Sequence, residues 1–524
     1  MERHYLSFSV VSLLLFILCF TIFLFNTHIA YGFNYKSADV KKSSTPYVHI
    51  DEKEIIRAHL PKTLLGFNIN LIHFENDLID SKTDKPKQSL LDYLKQYPGI
   101  LYRYPGGLIA NEFNWEESIG DIEKRGNQKL LKHVKPRRVV FGLDEYLNFI
   151  LEVKGQPLYV LNLSGWSTTI QHQELDISTI VESNKKLAKK IMDRLKPLGI
   201  KRIYQLGNEL DRSKYEWSTE KYIDRSLAVI NAINEVDGDA IFMPFLRDFN
   251  WKYTNHKRGK SKWRDFVSQT VNSIESNNMS LHFYYGSTNA PKKFRISTVR
   301  ANKIKTAIDY MKTQSDQKID VWITEHAIDW YTKDKEGSRN FLQTSNIEGG
   351  LETADALMQM IMLPEITGAA WHSMNGGPWA AFSNTDELTV TPRPVTEVLM
   401  SVLYPVWLPQ IMKTDTFSPN FSKHYAGYDI RALAMKSSDN SELGLWIINK
   451  SKNKYEIPVQ YLPYKNKSKN SSKNSVFLNN VDDYLLEDGQ TTSELNIKNR
   501  ANFNREGYTT ISVKPYSITS IYYY

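Results

Sequence analysis

Two short motifs, each with a glutamate at or next to its end, carry the residues of this sequence best suited to chemistry. Residues 204–209 read Tyr-Gln-Leu-Gly-Asn-Glu, and residues 321–326 read Val-Trp-Ile-Thr-Glu-His. Glu209 and Glu325 each follow a short apolar run, where a strand is expected to give way to a loop. Cleavage of a glycosidic bond with retention needs two carboxyl groups about 5–5.5 Å apart, one as acid/base and one as nucleophile. The two motifs therefore predict a retaining glycoside hydrolase.

Apolar runs recur along the chain and supply the strands that must position these glutamates. Eight of them occupy residues 64–70, 100–103, 158–163, 203–206, 241–245, 281–285, 321–324 and 369–372. Helical stretches at 144–153, 179–195, 219–235 and 299–313 lie between them, and such alternation indicates parallel βαβ units. Eight units predict an α/β fold, a (β/α)8 TIM barrel, in which catalytic side chains converge at the C-terminal ends of the strands.

The pattern of predicted secondary structure changes after about residue 405. Short apolar runs at 430–435, 444–449, 455–459 and 509–513, separated by turn residues, predict a C-terminal antiparallel β-sandwich domain. The predicted division is therefore a catalytic barrel over 61–404 and a sandwich over 405–524. A strand within 46–60 precedes the barrel and is expected to join the sandwich. Residues 464–473, rich in Lys, Asn and Ser, predict a disordered surface loop.

The N-terminus has the pattern of a targeting segment. Residues 6–25 are almost uninterruptedly apolar, which is long enough to span a bilayer. Ala30 and Gly32 then provide small residues for a cleavage site. Residues 1–32 are predicted to be a signal peptide or membrane anchor, followed by a spacer over 33–45. The body of the protein is accordingly predicted to be exported, either secreted, periplasmic or anchored outside the cytoplasm.

The composition excludes several other classes of protein. The single cysteine, Cys19, rules out intrachain disulfides and a cysteine-based zinc site, and no HExxH motif occurs. Chemistry by two carboxyl groups requires no metal or organic cofactor. The net charge is +8, but neither a basic helix nor an aromatic platform for RNA accompanies it. The predicted partner is a poly- or oligosaccharide and not a nucleic acid, and the oligomeric state is left open.

Further motifs resemble the α-L-arabinofuranosidases of glycoside hydrolase family 51, within clan A. Residues 101–107, followed by 113–115 and 118–120, resemble the second-strand region of that family, and 141–146 with Asn162 resemble the third. Residues 207–209 match the acid/base motif of the clan, and 282–284 resemble its sixth-strand motif. The last sandwich strand of the family is similar to 510–517. The resemblance covers about residues 47–524 and implies removal of terminal α-L-arabinofuranosyl residues from polysaccharides.

The resemblance and the chemistry together suggest a role for each glutamate and its neighbours. Glu209 is the expected acid/base, because it must donate a proton to the leaving oxygen and then accept one from water. Glu325 is the expected nucleophile and must stay ionised, which Arg103 at the end of the second strand would favour. Asn208 is expected to hydrogen-bond the 2-hydroxyl of the sugar.

Five further residues are expected to bind the substrate. Tyr284 is expected to donate to Glu325, with His282 beside it, and Trp371 is expected to lie under the sugar ring. Trp379 and Asn162 complete the predicted site. Tyr284, Trp371 and Trp379 also have a purely structural interpretation as packing residues, and His282 has one as a hydrogen-bonded core histidine.

Departures from the family pattern keep two alternatives open. Residues 326–330 and 375–379 fit no family pattern, and both are expected near the sugar. Seven basic residues between 124 and 138, in the loop after the second strand, would favour an acidic glycan if that loop covered the barrel mouth. A β-glucuronidase or heparanase-like hydrolase is therefore the alternative enzyme. An inactive surface glycan-binding protein is the alternative of another class.

Overall fold

The computed structural model describes most of the chain after the N-terminal segment. The described residues are 45–130, 135–167, 172–210, 215, 217–246, 260–285, 297–328, 346–376, 379–418, 428–462, 470–478, 491–498, 503–504 and 506–524. The predicted N-terminal targeting segment and spacer, residues 1–44, lie outside these ranges. Among the described residues, no helix has both the length and the apolar character needed to cross a membrane.

A parallel eight-stranded barrel forms the first part of the structure. Its strands are β2 (Gly66–Asn68), β3 (Leu101–Tyr104), β4 (Gln156–Leu161), β5 (Ile203–Leu206), β6 (Ile241–Pro244), β7 (Asn278–Tyr285), β8 (Asp320–Ile328) and β9 (Ile366–Trp371). They pair in the order β6-β5-β4-β3-β2-β9-β8-β7, and an isolated bridge between Phe245 and Ser280 joins the two ends. The predicted barrel is confirmed.

Helices cover the outside of the barrel, with at least one between each pair of consecutive strands. They are α1 (Leu71–Asp77), α2 (Gln88–Leu94), α3 (Leu143–Val153), α4 (Ile177–Leu195), α5 (Thr219–Asn234), α6 (Lys260–Ser273), α7 (Ser297–Lys312) and α8 (Ile347–Ile361). The barrel strands are almost wholly buried, as in other parallel sheets that are covered on both faces. This explains why they appear in the sequence as apolar runs without alternation.

A nine-stranded sheet forms the second part. It contains β1 (Tyr47–Arg57), β10 (Gln410–Phe417), β11 (Ile430–Lys436), β12 (Leu443–Asn449), β13 (Tyr455–Leu462), β14 (Ser471–Leu478), β15 (Thr491–Lys498), β16 (Tyr508–Val513) and β17 (Ser517–Tyr523). The order is β15-β14-β17-β12-β11-β10-β1-β13-β16. Every pair is antiparallel except β1 with β13. The fold class, a TIM barrel with an antiparallel β-sandwich, is confirmed.

One prediction for the sandwich is wrong. Residues 471–473, expected to end a disordered loop, belong to β14, while 463–469 lie outside the described residues. β14 pairs with both β15 and β17, and Val476 and Phe477 are buried. Ser, Lys and Asn gave this strand the composition of a loop, but pairing on both sides outweighs that weak propensity.

Candidate active site

The two glutamates of the sequence motifs come together at the C-terminal end of the barrel. Glu325 lies within β8, and Glu209 lies three residues after the end of β5. Glu209 has a backbone φ of 47° and Gly207 has a φ of 70°, so the chain turns sharply here. A Cβ at Gly207 would lie 2.6 Å from a methyl carbon of Leu210, so a larger residue would strain the turn in two ways. Residues 207–209 therefore serve to aim the Glu209 carboxyl inward.

Asn111 holds the turn between Gly207 and Glu209 in place. Its side-chain oxygen accepts from the Asn208 backbone N–H at 3.0 Å, and its amide nitrogen donates to the Asn208 carbonyl at 2.5 Å. Asn111 is fully buried in the loop after β3. Two reciprocal hydrogen bonds fix the Asn208 backbone without using its side chain, so that side chain is left for other partners.

The separation of the two carboxyl groups fits a retaining mechanism. His282 on β7 lies between them, with Nδ1 2.9 Å from Oε1 of Glu209 and 3.4 Å from Oε2 of Glu325. One oxygen of Glu209 and one of Glu325 lie within 4.8 Å of each other. Retaining enzymes place these groups about 5–5.5 Å apart, whereas inverting enzymes need about 6.5–9.5 Å for a water molecule. The geometry therefore favours direct attack by one carboxylate.

Arg103 on β3 organises the floor of the site. Its Nη1 donates to Oε1 of Glu325 at 2.9 Å, and the same nitrogen also donates to Asn68 at 2.6 Å. Its Nε donates to Gln205 at 2.8 Å and its Nη2 to the Asn208 side-chain oxygen at 2.6 Å. Arg103 is fully buried. Four hydrogen bonds hold the guanidinium rigidly, and a rigid cation keeps its charge directed at Glu325.

The surroundings of Glu325 favour its ionised form. Burial by itself raises the pKa of this carboxyl group. The imidazoles of His282 and His372 oppose that effect most strongly, followed by the Arg103 guanidinium and the Tyr284 hydroxyl. Tyr284 donates to Oε2 of Glu325 at 2.8 Å. Together these groups hold the pKa of Glu325 well below its ordinary value, as a nucleophile requires.

The two tryptophans of the predicted site occupy different positions. Trp371 is fully buried, its indole N–H donates to the Trp379 carbonyl at 2.8 Å, and its ring packs against His326. It therefore presents no face to a sugar, and the prediction that it lies under the sugar ring needs correction. The ring of Trp379 packs 6.0 Å from Tyr284 and 5.1 Å from His372. Trp379 is only partly buried and is the better candidate for the aromatic platform.

The side chain of Asn162, predicted to bind substrate, hydrogen-bonds the backbone of the neighbouring loops. Its amide nitrogen donates to the carbonyls of Phe113 at 3.1 Å and Gly165 at 2.8 Å. Its side-chain oxygen accepts from the backbone N–H groups of Ser164 and Gly165. The side chain thus shapes the loop after β4, and its contact with the substrate stays a prediction.

Four polar residues of the site were missed by the sequence analysis. They are Asn68, Asn111, Gln205 and His372. Asn68 and Gln205 lie in fully buried strands. A polar residue within an apolar run could have indicated a functional position, because buried polar groups need partners. His372 follows β9 directly, with Nδ1 3.8 Å from Oε2 of Glu325. Its position after the eighth barrel strand could have singled it out.

Three buried polar atoms around the carboxyl pair have no hydrogen-bond partner among the described residues. They are Nδ2 of Asn208, Nε2 of His282 and Nδ1 of His372. Buried polar atoms are rarely left unpaired in folded proteins, and binding sites are a common exception. A ligand with several hydroxyl groups would satisfy such atoms, as a sugar does.

Four basic residues of the loop after β3 are paired with nearby acids. Ion pairs join Lys124 to Asp121, Arg125 to Glu145, Arg137 to Glu75 and Arg138 to Glu123. Lys132, also part of this loop, lies outside the described residues. The paired charges offer little attraction to an acidic glycan, so they do not favour the glucuronidase-like alternative.

Glu209, His282 and Glu325 are also the group of described residues best placed to hold a metal ion. Their ligand atoms lie within 4.8 Å of one another. The Arg103 guanidinium already bonds Glu325 at 2.9 Å, however, so a cation bound here would lie beside a buried positive charge. The arrangement fits a carboxyl pair bridged by a histidine better than a metal site.

Replacement of Arg103 by methionine is expected to destabilise the protein, because Glu325 would lose its buried cation. Removing one partner of a buried ion pair costs about 3–5 kcal/mol. A carboxyl group with a lowered folded pKa stabilises the protein above its unfolded pKa, and this contribution is lost as pH falls through the folded pKa. Urea unfolding at pH 7 should therefore show the full decrease in the free energy of unfolding.

Arg138→Met is the matched control, because the Arg138 side chain is 39% exposed. Exposed ion pairs contribute only about 0–1 kcal/mol. Equal losses of unfolding free energy in the two variants would contradict the role given to Arg103.

Comparison with known proteins supports the resemblance found in the sequence. The family described as α-L-arabinofuranosidase 1 domain matches residues 94–243. An intracellular exo-α-(1→5)-L-arabinofuranosidase from Streptomyces lividans is 27% identical over 162 residues, which cover 29% of this chain and 24% of that protein. Intracellular exo-α-(1→5)-L-arabinofuranosidase 1 from Bacillus subtilis strain 168 is 21% identical over 286 residues, covering 49% of this chain and 56% of that protein. The matched segments thus span about a quarter to a half of these relatives.

The solved structures agree with the fold. A family 51 α-L-arabinofuranosidase from Bifidobacterium longum superposes with a TM-score of 0.71, covering 92% of this chain and 100% of that one, at 14% identity. The chain therefore resembles clan A retaining glycoside hydrolases, and family 51 in particular. At this level of identity the structural likeness concerns the fold.

The same comparisons correct the predicted location. Both relatives described above are named intracellular enzymes, which is at odds with the predicted export. The predictions of a signal peptide, a membrane anchor and a secreted protein are therefore not supported. The apolar segment at residues 6–25, on which they rest, lies outside the described residues.

Proposed function

We propose that this protein is a retaining glycoside hydrolase that removes terminal α-L-arabinofuranosyl residues from polysaccharides or oligosaccharides. One observation carries the proposal: Glu209 and Glu325 face each other within 4.8 Å at the end of the barrel, and Arg103 and Tyr284 both bond Glu325. We further propose that residues 61–404 form the catalytic unit and 405–524 the sandwich. The arabinofuranosidases among the relatives support the choice of sugar.

The first step would form a covalent bond between the enzyme and the sugar. A carboxylate oxygen of Glu325 attacks the anomeric carbon as the bond from that carbon to the leaving oxygen breaks. Glu209 gives its proton to the leaving oxygen, so the departing group leaves as a neutral alcohol. The Arg103 and Tyr284 hydrogen bonds orient Glu325 for this attack.

The second step would release the sugar with its original configuration. Glu209, now ionised, accepts a proton from water as the water oxygen attacks the anomeric carbon. The bond from that carbon to Glu325 breaks, which restores the carboxylate and leaves Glu209 protonated for the next cycle. His282 contacts both glutamates and keeps their separation fixed through both steps.

Replacement of Asn208 by alanine is expected to lower kcat/KM by about 100-fold, because hydrogen bonds to the 2-hydroxyl strengthen in the transition state. The unpaired Nδ2 of Asn208 is the donor proposed for that hydroxyl. The measurement compares an aryl α-L-arabinofuranoside with its 2-deoxy analogue.

The 2-deoxy analogue serves as the internal control for this variant. It lacks the hydroxyl, so Asn208→Ala should slow its hydrolysis by less than about threefold. A loss of equal size on both substrates would mean that Asn208 acts only through its bond to Arg103.

Neither alternative is favoured by the geometry of the described residues. A uronic acid requires a cation for its carboxylate, and Arg103, the guanidinium nearest the nucleophile, is buried and bonded to four acceptors. A glycan-binding protein without catalysis has no need for a carboxylate pair at this separation, or for a nucleophile with a lowered pKa.

The test is hydrolysis of a panel of aryl glycosides by the purified protein. The panel contains the α-L-arabinofuranoside, xyloside, galactofuranoside and glucuronide, with Glu209→Gln and Glu325→Gln as controls. Cleavage of the arabinofuranoside alone, lost in both variants, is the expected result. Preferred cleavage of the glucuronide would replace the proposal by the acidic-glycan alternative, and no cleavage at all would favour the binding protein.

A further inference from the structure

One helix of the barrel is buried on every side. All 15 residues of α8, which connects β8 to β9, are buried. Its outer face carries Glu348, Glu352 and Asp355, each fully buried. Their spacing of four and three residues places them in a row along one face of the helix. A row of buried carboxyl groups is costly unless cations lie opposite.

The sandwich supplies these cations. Lys450, directly after β12, has Nζ 2.7 Å from Oε1 of Glu352 and 2.9 Å from Oδ2 of Asp355. Arg431 on β11 has Nε 2.7 Å from Oδ1 of Asp355. Both cations also lie over the ring of Tyr428, at 4.2 Å for Arg431 and 4.9 Å for Lys450. The ion pairs are fully desolvated and join the sandwich to the barrel.

A third cation of the same sheet holds the C-terminal end of α8. Arg57, at the end of β1, donates to the carbonyls of Ile361 and Leu363, each at 3.3 Å, and to Ile366 at 2.7 Å. Carbonyl groups at the end of a helix lack partners within it, and a cation there is favourable. We call Arg57, Arg431 and Lys450 the α8 clamp.

The opposite side of α8 contacts the strands that carry the site. The Tyr285 hydroxyl donates to Thr353 at 3.2 Å, and Thr353 donates in turn to the Gly349 carbonyl at 2.7 Å. Tyr285 therefore has no second proton to give, and His326 Nδ1, 3.3 Å from its oxygen, must be the donor in that contact. Burial lowers the pKa of His326 to about 3, so its ring is neutral. His326 adjoins Glu325 on β8.

We propose that Lys450 and Arg431 are positioning residues for Glu325. They fix α8 through its buried acids, and α8 fixes β7 and β8 through Thr353, Tyr285 and His326. Buried ion pairs add little net stability compared with apolar packing, but some hold elements in a single register. The sandwich thus acts as a structural support of the active site.

The test combines hydrogen exchange with kinetics in the full chain. Lys450→Met is expected to speed amide exchange in residues 320–328 by about tenfold, because β8 loses its support. Under the proposed function it should also lower kcat by about tenfold, with KM changed less than twofold. Lys450→Arg, which retains a cation, should restore most of the exchange protection of residues 320–328 and most of kcat. Lys452→Met, at an exposed position two residues away, is the control.

A second variant distinguishes positioning from general loss of stability. Tyr285→Phe breaks the hydroxyl link but leaves the clamp intact, and it should reproduce both effects. The double variant Lys450→Met/Tyr285→Phe should have a kcat no lower than that of the slower single variant, because both substitutions break the same series of contacts between the sandwich and β8. Additive losses, or unchanged exchange in 320–328 of folded Lys450→Met, would overturn the proposal. Faster exchange in a protein that cleaves no glycoside would support the positioning and refute the proposed function.

Discussion

Replacement of Glu325 by alanine is expected to lower kcat/KM for an aryl α-L-arabinofuranoside by on the order of 10⁴-fold or more. This is the largest effect that the structure implies, because the carboxylate would form the covalent bond and no other described carboxylate except Glu209 lies beside it. Its low pKa means that the parent carries the ionised form throughout the neutral range. Initial rates with purified parent and variant provide the measurement.

An external anion provides the decisive control for Glu325→Ala. The cavity left by the carboxylate can admit azide, which would attack the same carbon from the same side and restore part of the rate. The product should then be a glycosyl azide of inverted configuration, because only one displacement has taken place. A variant that keeps more than about a tenth of the parent rate without any added anion would exclude Glu325 as the nucleophile.

Replacement of Glu209 by alanine is expected to have an effect that depends on the leaving group. With a natural oligosaccharide, whose leaving alcohol needs a proton, kcat/KM should fall by about 10²–10⁴-fold. With a highly activated aryl glycoside, whose phenolate leaves unaided, kcat/KM should fall far less. Hydrolysis of the two substrates by the same preparation provides the comparison.

Glu220→Ala is the matched control for this variant. Glu220 is an exposed glutamate in the first turn of α5, on the helix that follows the Glu209 turn. It should leave both rates unchanged. Equal losses on both substrates in Glu209→Ala would show that Glu209 is needed for something other than proton transfer to the leaving group.

The barrel was predictable from the sequence because its strands are buried on both faces. Each strand is therefore a short continuous run of apolar residues. In the helices between these runs, apolar residues instead recur every three or four positions. The sandwich was less predictable, because strands such as Ser471–Leu478 and Thr491–Lys498 contain polar residues that also suit loops. Their place depends on pairing with β17 and with each other, which no local pattern encodes.

The site was predictable where a motif fixes a residue at the end of a strand. Arg103 and Tyr284 lie in such motifs, and the structure places both beside Glu325. Side-chain direction was not predictable, and Trp371 shows why. Trp371 ends an apolar strand, just as Tyr284 lies near the end of another, but its ring turns into the core toward His326. The α8 clamp was equally invisible, because its cations lie far in the sequence from the acids of α8 that they pair with.

The most direct test of the central claim is to identify the covalent intermediate on Glu325. Glu209→Ala would be incubated with an activated aryl α-L-arabinofuranoside, and the protein digested with pepsin at low pH for mass spectrometry. Bond formation should outrun hydrolysis in this variant, because no base activates water. The expected result is one anhydro-arabinosyl group on the peptide that contains Glu325. A sugar attached to another residue, or arabinose of inverted configuration released without any adduct, would contradict the mechanism.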